Sequence, residues 1–436
     1  MTGLPILAQV GRVDTGDTAW MLAATALVLM MTPALGLFYA GLVRSKNTLN
    51  TFMMCIAAIA VATVTWALIG YSLAFDGTGD LVGGLGYLGL HDVTFVPREG
   101  QTIPHLLFMA FQATFCIITT ALVSGAVVER MRFSAFLVFA ALWSVLVYAV
   151  MAHWAFGGGW LFERGTLDFA GGVPVEMGSG FSALAAALVV GKRKDYGRQA
   201  LLPHNAVYVL LGAGLLWFGW FGFNGGSGIS TGNPSVLAFT NTLLTPACTL
   251  LVWFALDALR GRQVTAIGAA TAIIVGCVGI TPAGAYVSPG WAMLLGGLVA
   301  LPCYAVILWR PRFGVDETLD VLAAHGVAGF TGILFIGFFA QSGWNGVSDG
   351  ILYGNAGQLL DQVLAAIAAP AYAFGATYVL LRLIGLAMPL RGPEREEALG
   401  MDVTHHGEEA YATGEGAILV TPEASDGAEV AVANST

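Results

Sequence analysis

Eleven stretches of mostly apolar residues, each long enough to cross a lipid bilayer, constrain this chain more than any other feature of it. A spanning helix needs about 20 such residues. The stretches run near 18–41, 51–75, 104–128, 133–155, 172–191, 203–223, 235–259, 264–281, 289–309, 319–340 and 358–386. Only 10% of the 436 residues are charged, against roughly 25% in a soluble domain, so the chain cannot cover a soluble surface. The expected fold is all-α and membrane-embedded. Its 58 glycines are near twice the usual share of about 7%. In lipid no hydrophobic drive pulls helices together, and small residues let their backbones approach and pack.

Charge orients the spans. Fifteen of the 18 Lys and Arg residues fall on one set of connections, including Arg44, Arg130, Arg193, Arg260 and Arg310, and in the C-terminal part; the other side holds Arg12, Arg98 and Arg164. The positive-inside rule then places the C-terminus in the cytoplasm, and an odd number of spans places the N-terminus outside, in a plasma (inner) membrane. The expected organisation is an extracytoplasmic segment 1–17, an eleven-span domain 18–390 and a cytoplasmic tail 391–436, polar and partly disordered at its end. Residues 1–17 lack the charged and long apolar regions of a cleavable signal, so the first span is read as inserting uncleaved. The net charge of −9 gathers in outer loops and the tail; it is a topology signal and gives no sign of nucleic-acid binding.

Eleven spans suggest two inverted repeats of five and a final long helix. In such folds the substrate site lies at the repeat interface, on interrupted segments in corresponding positions, here the fifth and tenth spans. The fifth opens with DFAGGVPVE (168–176), carrying Glu176, and the tenth carries His325 in HGVAGFTG (325–332). An ionisable residue inside a span is costly and points to function. The bland alternatives are a protonated glutamic acid bonded to a neighbouring helix and a satisfied core histidine. The matching positions favour a pair that holds or relays a proton, because burial raises a carboxyl pKa and a carboxylate raises that of histidine. Asp168 and Asp320 stand near the two helix starts, where a carboxylate suits free N–H groups.

Phe115 (in FQATF, 111–115), Phe156 and Phe223 (in GWFGFNGGS, 219–227, ending at Ser227) lie toward the outer ends of their spans. Phenyl faces attract a small cation, with Ser227 as acceptor, although each ring taken singly reads first as helix packing. The five cysteines, Cys55, Cys116, Cys248, Cys277 and Cys303, all sit in apolar stretches with no C-x-x-C pair and read as free thiols. No metal, cofactor, Walker-type or hydrolase arrangement is present, so an enzyme is not expected. The residues alone describe a small-solute transporter or channel with a titratable pair.

TPALGLFYAGLVRSKN (32–47), FQATF, GAVVERMRFSAFL (125–137), DFAGG, GKR (191–193), PHN (203–205), GWFGFN, TPAGAY (281–286), HGVAGFTG and GMDVTHHGEEAY (400–411) occur in this order. Together they resemble the signatures of the Amt/Mep/Rh ammonium transporters, from about residue 18 to 411. The resemblance implies an N-out, C-in homotrimer with a narrow apolar pore through each subunit, carrying ammonium or ammonia, with methylammonium as analogue. It implies Phe115, Phe156 and Ser227 around an outer site, Phe115 and Phe223 as a stacked gate, and His325 as the second of twin pore histidines. Asp168 is implied as structural support. The tail element is implied as regulatory, in many relatives with a PII-type protein. Two positions depart from the common pattern: Glu176 stands where histidine is usual, as in a subset that includes some fungal transporters, and Phe156 where tryptophan is usual. Two rival readings are an ammonium sensor that passes little substrate and an Rh-like neutral gas channel.

Overall fold

The structure is a computed structural model that describes residues 12–77 and 79–411. Residues 1–11 and the distal tail, where disorder was expected, lie outside the described residues. Among the described residues the regular structure is helical, apart from two isolated β-bridges, and helices stand at all eleven anticipated positions. Ten are long and apolar enough to cross a bilayer. The eighth, Ala266–Ile280, has 15 residues, short of the roughly 20 needed. It starts late because Thr265 caps it, its side chain accepting from Gly268 N, and it stops before Pro282, which cannot continue a helix.

Glycines decide which helices touch. The first helix (Thr15–Leu42) lies along the sixth (Ala206–Gly226), where a Cβ on Gly212 would meet Phe38 N at 2.5 Å. The fifth (Gly172–Val190) crosses the tenth (Leu322–Phe339). A Cβ on Gly180 would stand 2.2 Å from Gly326 N, and one on Gly172 would stand 3.1 Å from Ile333 Cγ1. As numbering rises along the fifth helix it falls along the tenth, so the two run antiparallel, as inverted repeats require. Both open with a π-helical turn, Gly172–Met177 and Leu322–Val327, a feature that often accompanies function.

The basic connections are tied together by one buried carboxylate. Glu129 Oε1 accepts from Arg44 N (3.0 Å), Arg44 Nε (3.0 Å) and Asn47 Nδ2 (2.9 Å), and Oε2 accepts from Arg193 Nη1 (2.8 Å). Arg193 continues to Asp316 at 2.7 Å. Buried Arg130 donates to Thr318 Oγ1 and to the carbonyls of Ala126 and Asp316. Residues 391–411 pack on this same face. Two short helices, Glu394–Leu399 and Met401–His406, bring Asp402 to the start of the second helix, where its carboxylate accepts from Leu49 N (3.0 Å) and Asn50 N (2.7 Å). Lys46 Nζ donates to the carbonyls of Glu397 and Ala398.

Burial pushes the Glu129 carboxyl up, and Arg193 and Arg44 more than offset this, holding it below its ordinary value. A carboxyl depressed in the folded state contributes stability that is complete above its unfolded pKa, about 4.3, and is lost as pH falls through the lower folded value. Glu129→Gln leaves two arginines short of a counter-charge in a buried setting, a loss of about 3 kcal/mol. The melting temperature of purified protein in detergent is expected to drop several degrees at pH 7, with the gap to wild type closing in acid. An equal melting temperature at neutral pH would remove Glu129 from the stabilising role.

Candidate functional site

Three cavities lie in series through the helices; the Phe115–Phe223 contact stands between the first and the second, and Phe38, Ile274 and His325 wall both the second and the third. The first, on the side away from the basic face, is a basin of about 350 Å³ whose lining includes Gln112, Phe115, Phe156, Phe169 and Ser227. At its floor Phe115 meets Phe223, ring centroids 4.2 Å apart and planes inclined by 32°. Both rings are buried. Beyond lies a narrow chamber walled by Leu35, Leu122, Leu216, Trp220, Phe223, Glu176 and His325, with only about 20 Å³ of room for the centre of a water-sized molecule. The third cavity, about 260 Å³, opens toward Arg193, Arg310 and Asp320 and shares the His325 wall with the chamber.

The chamber draws its lining from the first, third and fifth helices and from the sixth, eighth and tenth. Equivalent helices of the two repeats thus face one pore. Its walls are almost wholly apolar, and the exception is the pair. His325 Nδ1 stands 2.8 Å from Glu176 Oε2, with His325 4% and Glu176 1% exposed. Among the described residues Glu176 makes the ring's one hydrogen bond, through Nδ1. Glu176 Oε1 is buried without a hydrogen-bond partner. Thr281 stands beside the same carboxyl, yet its hydroxyl donates to Cys277 O at 2.9 Å and accepts from Trp220 Nε1 at 2.9 Å. One carboxyl oxygen therefore meets the histidine, and the other is buried without a hydrogen-bond partner. A buried acceptor left unpaired costs free energy.

The basin has its own acceptor. Ser227 Oγ donates its proton to Phe223 O at 2.8 Å, which turns the oxygen's lone pairs outward. Phe156 is half-buried beside it. Asp168 lies behind this wall: Oδ1 accepts from Gly171 N (2.9 Å) and Gly172 N (2.7 Å), and Oδ2 from Val173 N (2.7 Å). It caps the fifth helix, and the turn depends on Gly171 at φ 113°, a conformation open to glycine.

At the tenth helix the capping residue differs from expectation. Asp320 does not meet the free N–H groups; it adopts φ 58° and pairs with Arg310 Nη2 at 2.6 Å. Glu317 caps instead, accepting from Val321 N (3.0 Å) and Leu322 N (3.4 Å). Burial lifts its carboxyl to about 7 despite Arg310 close by. The sequence does carry the signal: Asp168 precedes Glu176 by eight residues, and Glu317 precedes His325 by the same eight. Asp320 is simply nearer to the apolar run. Nothing local in the sequence sets Trp220, Thr281 or Arg98 apart from other residues of their type as members of these cavities.

Residues 19–411 match the profile of the Ammonium Transporter Family. The ammonium transporter of Bacillus subtilis strain 168 is 43% identical over 399 residues, 91% of this chain and 98% of that protein. Among solved structures, Candida albicans Mep2 is similar with a TM-score of 0.83 and 35% identity, covering 88% of each chain. A Sensor Amt Protein is similar with a TM-score of 0.83 and 26% identity, covering 90% of this chain and 98% of that one.

Proposed function

The chain belongs to the ammonium transporter family, and from that premise we propose how it carries ammonium across a membrane. Ammonium settles in the outer basin between Phe156 and Ser227, where phenyl faces supply cation–π attraction and the serine oxygen accepts an N–H. It loses a proton as it passes the Phe115–Phe223 gate. Ammonia then crosses the apolar chamber beside Glu176 and His325, which take up and pass on the proton. The reason for this division is desolvation. An ion stripped of water in an apolar pore loses on the order of tens of kcal/mol, whereas neutral ammonia passes at far lower cost.

The observation that carries the reading is the 2.8 Å Glu176–His325 contact in the wall of a chamber too narrow for a hydrated ion. The unpartnered Glu176 Oε1 favours one variation, in which the anionic carboxylate steadies a cation in the chamber and net charge moves. Currents on solid-supported membranes loaded with proteoliposomes separate the two. Ammonium pulses that give uptake without current would defeat the electrogenic version.

The same reading takes the molecule as a homotrimer in the inner membrane with its basic face in the cytoplasm. Residues 391–411, packed on that face, would offer a surface for a PII-type regulator. Radiolabelled methylammonium uptake, in cells lacking their own carriers, is expected to rise well above background on expression of this chain. Binding without uptake would replace transport by a sensor function.

A further inference from the structure

We propose that Arg98 sets the affinity for ammonium by fixing a positive charge inside the outer basin, on aromatic faces that the substrate cation would otherwise use. This rests on the outer-site reading given above and adds a residue that sequence patterns do not mark. The Arg98 guanidinium carbon lies 4.7 Å from the Phe108 ring centroid and 5.2 Å from that of Phe75. Its Nη2 donates to Phe75 O at 3.4 Å. Both separations fall within the roughly 6 Å over which a cation is held by a phenyl face. Phe75, Phe108 and Arg98 line the same basin as Phe115, Phe156 and Ser227. Two aromatic walls of a cation-recruiting basin thus already carry the protein's own cation.

No carboxylate among the described residues is paired with that charge. Arg164, on the same side, is paired with Asp361 at 3.1 Å, but Arg98 makes no ion pair among the described residues. Glu99 also lines the basin but is exposed, so water screens it. Arg98 is half-buried against low-dielectric ring faces, where a charge is felt more strongly. Tyr71, Tyr87 and His105 pack beside it and bond among themselves, offering no anion. The basin therefore attracts ammonium through Phe156 and Ser227 and resists it through Arg98. The balance lowers affinity and ties it to ionic strength.

Uptake of labelled methylammonium into proteoliposomes tests this. Arg98→Gln is expected to lower the apparent KM about three- to five-fold at roughly 10 mM ionic strength, with kcat nearly unchanged. The advantage shrinks at about 150 mM, where the Debye length falls to about 8 Å. Arg98→Lys keeps the charge and is expected to stay within two-fold of the wild-type KM. An unchanged KM for Arg98→Gln at low salt overturns the proposal, and so does an equal fall in KM for the lysine variant, since packing and not charge would then be responsible. Ser227→Ala is run in parallel and is expected to raise KM. A silent Arg98→Gln beside an impaired Ser227→Ala defeats only the role of Arg98, whereas silence in both defeats the outer-site reading as well.

Discussion

Glutamine in place of Glu176 is expected to cut ammonium transport by roughly a hundredfold or more, the scale of losing a positioned acid or base, while the protein folds and assembles normally. The substitution keeps the shape of the side chain and leaves an oxygen or an N–H to meet His325 Nδ1 across 2.8 Å. What it removes is the ability to change charge. Under the proposed proton relay the variant also loses the pH dependence that the pair confers. Uptake and solid-supported-membrane currents at several pH values report both. Wild-type flux with a wild-type pH profile would end the proton role of Glu176. Glu176→His installs the twin-histidine arrangement usual in the family and is expected to recover part of the transport with a shifted pH profile.

The second large effect is structural. Gly180→Val is expected to yield little or no folded protein, because its Cβ alone would stand 2.2 Å from Gly326 N and 2.3 Å from Gly326 Cα. These are backbone atoms of the opposing pore helix, so no side chain can swing aside. Overpacking a core ordinarily costs about 1–3 kcal/mol, and a β-branched residue driven into backbone exceeds that. The same crossing sets the pore pair, since a Cβ on Gly329 would meet Glu176 Cβ at 2.6 Å. Fluorescence-detected size exclusion of the solubilised variant checks the outcome. A monodisperse peak at wild-type yield, with transport retained, would show that the helices separate without harm.

Some of the site was readable before any coordinates. Glu176 is an acid within an apolar run, and His325 sits at the matching place in the second repeat; their conjunction across 149 residues follows only if the repeats are inverted. The phenyl pair was not separable from ordinary packing by spacing, and it took family resemblance to single out Phe115 and Phe223. Asp320 shows the opposite hazard. Proximity to a helix start made it a capping candidate, yet its backbone turns left-handed and sends its carboxylate to Arg310, leaving the cap to Glu317.

Hydropathy and length are local properties, and from them the chain by itself determined an all-helical membrane protein, the positions of its helices and the distribution of its basic residues. Two things it did not determine are which side chains face one another and which charges stay unpaired. Those depend on helix crossings set by glycines far apart in the sequence, Gly180 against Gly326 and Gly212 against Phe38, and on loops folded over a basin. Only the tertiary structure could bring the imidazole of His325 to one oxygen of Glu176, bury the other without a partner, and seat the Arg98 guanidinium on two phenyl rings. Hydrogen bonds and ring contacts act over a few ångströms, and for the Glu176–His325 pair those few ångströms are fixed by packing between segments 149 residues apart.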